Sequence, residues 1–402
     1  MADRRWVETP SMMFVGDGGR FSFQPNGVVM RVGIDARLVY YSQAGIGQYI
    51  IHLVNGLAKV DTETDYILLQ SRKDETTILE QPNFRRVSLW TPSHHRLERY
   101  ALNVELMRLG LDVLHSPDFI PPHKPSCKSV ITVHDLAFLL YPHFLTKESA
   151  RYYGHIDQAV RWTDHIIAVS ENTKRDTVEH LGVPESKITV VYEAANPIYR
   201  PLDKAAAQQE VRNRQGVEGP FILFVSTIEP RKNVPTLLQA LRQLLECYKE
   251  DVRLVLAGGE GWLCEDVYQA VEDLRLGDRV HFVGRVSSED LLYLYNAAEM
   301  LAHPAFYEGF GLPPLEAMAC GLPTIVSNVA SLPEVVGDAG LLIDPHNVDE
   351  LTVAMWRVLN DEQLRREMRE KGLRQAALFS WERAARETLA IYRLVHGDHN
   401  RP

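Results

Sequence analysis

The chain has 402 residues, 45% hydrophobic and 24% charged, enough to bury two or three domain-sized cores without covalent staples. Its net charge of −10 excludes the basic face of a general nucleic-acid binder. The charge is uneven: 22 Lys+Arg meet 23 Asp+Glu in residues 1–200, and 21 meet 30 in the remainder. The near-neutral first half tolerates an anionic partner better than the second, although a chance imbalance of surface charge is the plainer reading. The cysteines, Cys127, Cys247, Cys264 and Cys320, form no C-x-x-C pair and no Cys/His cluster, which speaks for a reducing, cytoplasmic setting. No run of about 18 apolar residues is present to span a bilayer.

In chain order, residues 1–29 carry turn signals (Asp17-Gly18-Gly19, Pro25-Asn26-Gly27) and no apolar h-region. They read as a loose extension, with Phe21-Ser22-Phe23 as an extra strand in the alternative reading. A clean strand starts at Met30 and takes in Val32–Ile34, followed by the helical pattern Ile46, Tyr49, Ile50, Leu53, Leu57. Short β-branched runs then recur at Tyr66–Leu69, Val87–Leu89, Val113–Leu114, Val130–Val133, Ile166–Val169 and Ile188–Val191, with helical stretches predicted at 98–109, 147–161 and 171–181. Ala194 to Pro201, with two prolines in five residues, reads as a linker. The alternation restarts with strands at Phe221–Val225, Val252–Leu256, Val280–Val283, Met300–Ala302, Thr324–Val326 and Leu341–Ile343, helices at 234–248 and 287–297, and a last amphipathic helix from Ser380 to Val395. The pattern predicts an α/β protein of two doubly wound parallel-sheet, Rossmann-like domains, residues 30–198 and 199–379, facing a central cleft, with residues 380–402 as a closing helix. Ligands of such sheets lie at the carboxyl ends of the strands, so the cleft is the expected site.

The sharpest chemical signal is Glu308-Gly309-Phe310-Gly311-Leu312-Pro313-Pro314-Leu315-Glu316. Two glutamates bracket seven residues. Gly309 and Gly311 permit a tight loop with bare amides, and the two prolines suit a helix's first turn, so the stretch reads as a phosphate cradle at a helix N-terminus. Glu316, expected in that first turn, can accept two hydrogen bonds from vicinal ribose hydroxyls. Glu308, on the loop, can meet a donor-sugar hydroxyl. The second signal is Ser226-Thr227-Ile228-Glu229-Pro230-Arg231-Lys232-Asn233, directly after the strand Phe221–Val225. Adjacent cations there can face a diphosphate and stabilise its growing charge as it leaves; a solvated loop with two cations is the competing reading. Gly45-Ile46-Gly47 lacks the third glycine of a dinucleotide fingerprint and by itself reads as a turn and helix start. His134, ending the strand Val130–Val133, by itself reads as a core or capping residue.

The glutamate pair, the Glu-Pro-Arg-Lys-Asn loop and the strand-end His134-Asp135 together resemble the retaining glycosyltransferases of family 4, with the GT-B fold, over residues 30–395. The resemblance implies Glu308 on the donor sugar, His134 on that sugar through side chain or backbone, Glu316 on the ribose, Lys232 on the diphosphate, and the amides of Phe310, Gly311 and Leu312 around phosphate and sugar. It places the base near Arg285 and Val286, and Gly45 and Gly47 against the donor phosphate or the acceptor, with Gly47 the closest approach. Many members carry an Arg five residues before the Lys; here that position is Thr227, and Arg231 is the expected substitute. With no D-x-D triplet, no metal or other cofactor is expected, the nucleotide sugar being a substrate. The Ile-Glu-Pro-Arg-Lys-Asn variant resembles bacterial enzymes that add mannose from GDP-mannose during polysaccharide assembly. The expected partners are therefore that donor and a saccharide or lipid-linked acceptor, with no nucleic acid. A UDP- or ADP-sugar donor, a GT-B phosphorylase or epimerase, and a non-enzymatic sugar binder stand as alternatives. The helix 98–109 reads either as packed on the sheet or as facing a lipid surface, which would make the protein peripheral to the membrane's inner face. Oligomeric state is not legible.

Overall fold

The structure, a computed structural model, describes residues 29–41, 45–93, 98–118, 121–142, 154–261 and 264–397. The expected N-terminal extension, apart from Val29, and its alternative strand at Phe21–Phe23 lie outside these residues, as does the first part of the helix expected at 147–161.

The first half holds a seven-stranded sheet: β1 (Arg31–Asp35), β2 (Asp65–Ser71), β3 (Phe84–Leu89), β4 (Val113–Ser116), β5 (Lys128–Val133), β6 (His165–Ala168) and β7 (Ile188–Val190), in the order β3-β2-β1-β4-β5-β6-β7. The second half holds six strands: β8 (Phe221–Val225), β9 (Arg253–Ala257), β10 (Val280–Gly284), β11 (Met300–His303), β12 (Thr324–Ser327) and β13 (Leu341–Ile343), in the order β10-β9-β8-β11-β12-β13. The pairings within both sheets are parallel. Central strands are buried along their length, as in Phe221–Val225, because helices cover both faces; this is why they read as continuous apolar runs rather than alternating ones.

In each sheet the strand order reverses direction beside the first strand, between β1 and β4 and between β8 and β11. A crevice opens at such a switch point, at the carboxyl ends of the strands. The loops after β8 and β11 carry Glu229–Lys232 and Tyr307–Gly311, so the topology alone brings the two motifs together.

Residues 191–203 form no helix or strand and join the halves. The helix Trp381–Gly397 returns to the first half and packs on the helix Ile46–Val60. Ala385, Leu389 and Tyr392 of the former join Leu53, Val54 and Leu57 of the latter in one buried cluster. The Trp381 ring stacks on His52 at 5.2 Å, and its indole N–H donates to the linker carbonyl of Ala195 at 3.2 Å.

Candidate active site

The halves meet over a cleft of about 770 Å³, a size suited to a small-molecule ligand. On its floor lies the Glu308 carboxylate, buried. Lys232 Nζ donates to Glu308 Oε1 at 2.5 Å, His303 Nε2–H donates to the same oxygen at 2.7 Å, and Arg231 Nη1 reaches Oε2 at 3.3 Å. Burial alone would raise the Glu308 pKa; Lys232, His303 and Arg231 together hold it well below the usual carboxylate range. Arg231 is also paired with Glu229 at 2.5 Å and donates to the carbonyl of Tyr307 at 3.3 Å. The two cations thus come from the loop after β8, and His303 and Glu308 from the end of β11 and its loop.

The loop leads into the helix Leu312–Ala319. Gly311 has φ 108°, left-handed backbone that a side chain strains, and it caps that helix. Ser331 Oγ holds the loop from beneath, donating between the carbonyls of Glu308 (2.8 Å) and Phe310 (2.7 Å). The helix begins at Leu312, ahead of the prolines, so Glu316 lies in its second turn and not in the first as expected. From there its Oε2 accepts a hydrogen bond from the hydroxyl of Tyr295 at 2.8 Å. Burial pushes the Glu316 pKa up to about 7; the Tyr295 bond opposes this and the Glu193 charge adds to it.

The first half supplies the opposite wall. His134, just past β5, is engaged on both ring nitrogens: Nε2–H donates to the carbonyl of Pro117 at 2.8 Å, and Nδ1 pairs with Glu193 Oε1 at 2.9 Å. Two acceptors favour the doubly protonated ring, so despite burial, which lowers it, Glu193 raises the His134 pKa. Both ring nitrogens are thus engaged in this conformation, and Glu193 lines the cleft beside them. Gly45, Ile46 and Gln48 line the cleft, whereas Gly47 is buried inside the first turn of the helix Ile46–Val60. The expected closest approach therefore falls to Gly45, not Gly47. Thr227, Arg285, Val286, Phe310, Gly311 and Leu312 all line the cleft.

The halves are held shut beside the site. A side chain at Gly309 would place its Cβ 1.9 Å from the His134 carbonyl oxygen, so only glycine allows this approach. The Gly309 carbonyl accepts from Ser170 Oγ at 2.6 Å and Thr173 Oγ1 at 3.1 Å, and Tyr307 donates to Asp176 at 2.7 Å. Glu334 accepts from the amides of Glu171 (3.0 Å) and Asn172 (3.1 Å), which places these two residues at the junction of the halves. Glu193, His303, Tyr295 and this junction escaped sequence reasoning. The available signal was position: His303 ends β11, and Glu193 follows β7. Among the described residues, no group of three or more His, Cys, Asp or Glu is arranged to hold a metal ion.

The sequence matches the family described as Glycosyl transferases group 1 over residues 207–375 and that described as Glycosyltransferase Family 4 over residues 44–197. It is 33% identical to the O-antigen chain mannosyltransferase B of Escherichia coli, over 91% of this chain and all of that protein. The serotype-specific mannosyltransferase WbdA of Escherichia coli is 28% identical over 83% of this chain, which spans 43% of that longer protein. Among solved structures, sucrose-phosphate synthase from Thermosynechococcus elongatus superposes with a TM-score of 0.74 at 22% identity, covering 92% of this chain and 100% of that one. The glycosyltransferase WaaG superposes with a TM-score of 0.71 at 17% identity, covering 90% and 99%. These likenesses, with the two parallel sheets, show the GT-B fold.

Proposed function

The chain belongs to the family 4 glycosyltransferases, and from that premise we propose that it moves a mannosyl residue from GDP-mannose, with retention of anomeric configuration, onto a saccharide or lipid-linked saccharide acceptor in polysaccharide assembly. The observation that carries the reading is the buried Glu308 carboxylate clamped by Lys232 and Arg231 beside a glycine loop that opens a helix.

Without a donor, Glu308 pairs with both cations, and Glu229 shares Arg231. An incoming diphosphate competes for them, because its oxygens meet Lys232 as a point charge and Arg231 as a fork. Glu308, still bonded to His303, then turns an oxygen to a sugar hydroxyl and fixes the ring. Glu316, ionised, accepts from the ribose hydroxyls, and the base lies against Arg285 and Val286. The acceptor oxygen forms its bond to the anomeric carbon on the face from which the diphosphate departs. As the carbon–oxygen bond to phosphate breaks, a phosphate oxygen takes the acceptor's proton. The departing charge is met by Lys232, Arg231 and the positive end of the helix Leu312–Ala319. Catalysis in this account is positioning and charge stabilisation, with no protein nucleophile.

The test supplies GDP-mannose, UDP-glucose and ADP-glucose separately, with and without mannose-terminated oligosaccharides. Free GDP appearing only with acceptor, and an axial anomeric linkage in the product by NMR, support the reading. Release of UDP or ADP instead would replace the donor, and free nucleotide without acceptor would replace the reaction class.

A further inference from the structure

The helix Glu98–Leu106 in the first half is apolar on two faces. Leu102 and Leu106 face inward and join Ile67, Leu69, Leu89 and Leu114 in a buried cluster. On its outer side Tyr100 and Val104, with Met107 just past its end, are 62%, 68% and 70% exposed. Trp90, 70% exposed, extends this stripe: its backbone N–H donates to Glu105 Oε2 at 2.7 Å, which fastens it to the same helix. Four large apolar side chains in one place are more than the scattered singles of an ordinary surface.

Cations border the stripe on its flanks. The Arg72 guanidinium lies over the Trp90 ring at 3.9 Å, with exposed Lys73 next along the chain. Arg108 is exposed beside Met107. Lys124 is exposed next to His123, whose ring packs on Tyr100 at 5.4 Å. Glu75 is an exposed acid two residues past Lys73, whereas Glu105 is spent on the amides of Trp90 and Thr91. This local excess of positive charge stands out on a chain of net charge −10. An anionic lipid surface fits both parts, because apolar side chains enter the acyl boundary while Arg and Lys meet the headgroups.

We propose that the stripe Trp90, Tyr100, Val104 and Met107, with Arg72, Arg108 and Lys124 at its rim, docks the protein on an anionic membrane surface. The helix's first residue ties it to the cleft side of the sheet: Glu98 accepts from Arg37 at 2.6 Å, and Arg37 follows β1 at its carboxyl end. The stripe therefore begins where the strands open towards the cleft, and a saccharide anchored in the docked bilayer is presented to the cleft mouth. This point rests on the acceptor being lipid-linked; the docking itself does not.

The full chain is sedimented with vesicles of phosphatidylcholine containing 30% phosphatidylglycerol and with vesicles of phosphatidylcholine alone. Binding to the anionic vesicles only, weakened by salt, is expected. The double variant Val104→Ser with Met107→Ser, and separately Arg72→Ser with Arg108→Ser, should each lower the bound fraction on the order of tenfold while leaving circular dichroism and transfer to a soluble acceptor unchanged. Equal sedimentation of variants and wild type, or no binding to anionic vesicles, overturns the proposal. A wild-type dimer that the Val104/Met107 variant splits, with no vesicle binding, overturns it in favour of a second copy. Vesicle binding as expected, but without transfer from any nucleotide sugar, would sink the proposed activity and leave the docking surface standing.

Discussion

Lys232 Nζ and Glu308 Oε1 stand 2.5 Å apart on the floor of the cleft, both side chains buried, with His303 and Arg231 completing the carboxylate's partners. Such a pair is costly to bury and gains its use from what displaces it. Lys232→Ala is expected to lower kcat/KM by about 100-fold, since it removes a charge aimed at the leaving diphosphate. The loss should appear in kcat as well as in KM. An effect on KM alone would mean that Lys232 only binds.

Glu316 carries a pKa pushed up to about 7 by burial. As an acceptor for ribose hydroxyls it must be ionised, so donor affinity is predicted to fall as pH drops through about 7 and to level off above it. Glu316→Gln should weaken donor binding by about 10- to 100-fold, the value of a hydrogen bond to a charged group, and abolish that pH dependence. Calorimetric titration from pH 5.5 to 8.5 measures both.

Glu193 raises the Glu316 pKa by its charge and holds His134 at 2.9 Å. Glu193→Gln removes the charge and keeps the shape. Glu316 then stays ionised to lower pH, so the acid limb of donor binding should move to lower pH. The His134 ring, losing its carboxylate, should titrate at lower pH by NMR. An unmoved acid limb would separate Glu193 from Glu316.

Gly309 is the tightest approach between the halves, with the His134 carbonyl where a side chain would begin. Gly309→Ala should push the halves apart and misplace groups drawn from both. A shift of about 1 Å at a reacting centre costs about 100-fold in rate, so kcat/KM should fall by that order. Small-angle scattering should show a larger radius of gyration, with the far-ultraviolet circular dichroism unchanged. A variant with native activity and native dimensions would mean that closure does not depend on this contact.

Much of the fold was legible because parallel strands buried on both faces leave short β-branched runs between polar or turn residues. Phe221–Val225 and Leu341–Ile343 were found with the bounds they have in the structure. Glu316 falls one turn later than expected because the helix opens at Leu312, ahead of Pro313 and Pro314. The first four helical N–H groups have no intrahelical acceptor, so two prolines, which lack that N–H, are tolerated after Leu312. The expectation of Gly47 as the closest approach comes from the resemblance, and the G-x-G spacing by itself cannot tell which glycine turns and which enters the helix. The structure gives Gly45 a φ of 47° just ahead of the helix. The partnerships His134–Glu193, Tyr295–Glu316 and Tyr307–Asp176 were illegible, since each joins residues 21 to 131 positions apart that only the folded chain brings together.

The central claim is that this cleft binds a nucleotide sugar through Glu308, Lys232 and Glu316. It is tested most directly by calorimetric titration of GDP-mannose into the wild type and into Lys232→Ala and Glu316→Gln, at pH 8 and matched salt. One site per chain is expected in the wild type, with binding at least about tenfold weaker in each variant. Wild-type affinity in both variants, or no heat with GDP-mannose, UDP-glucose or ADP-glucose, would contradict it.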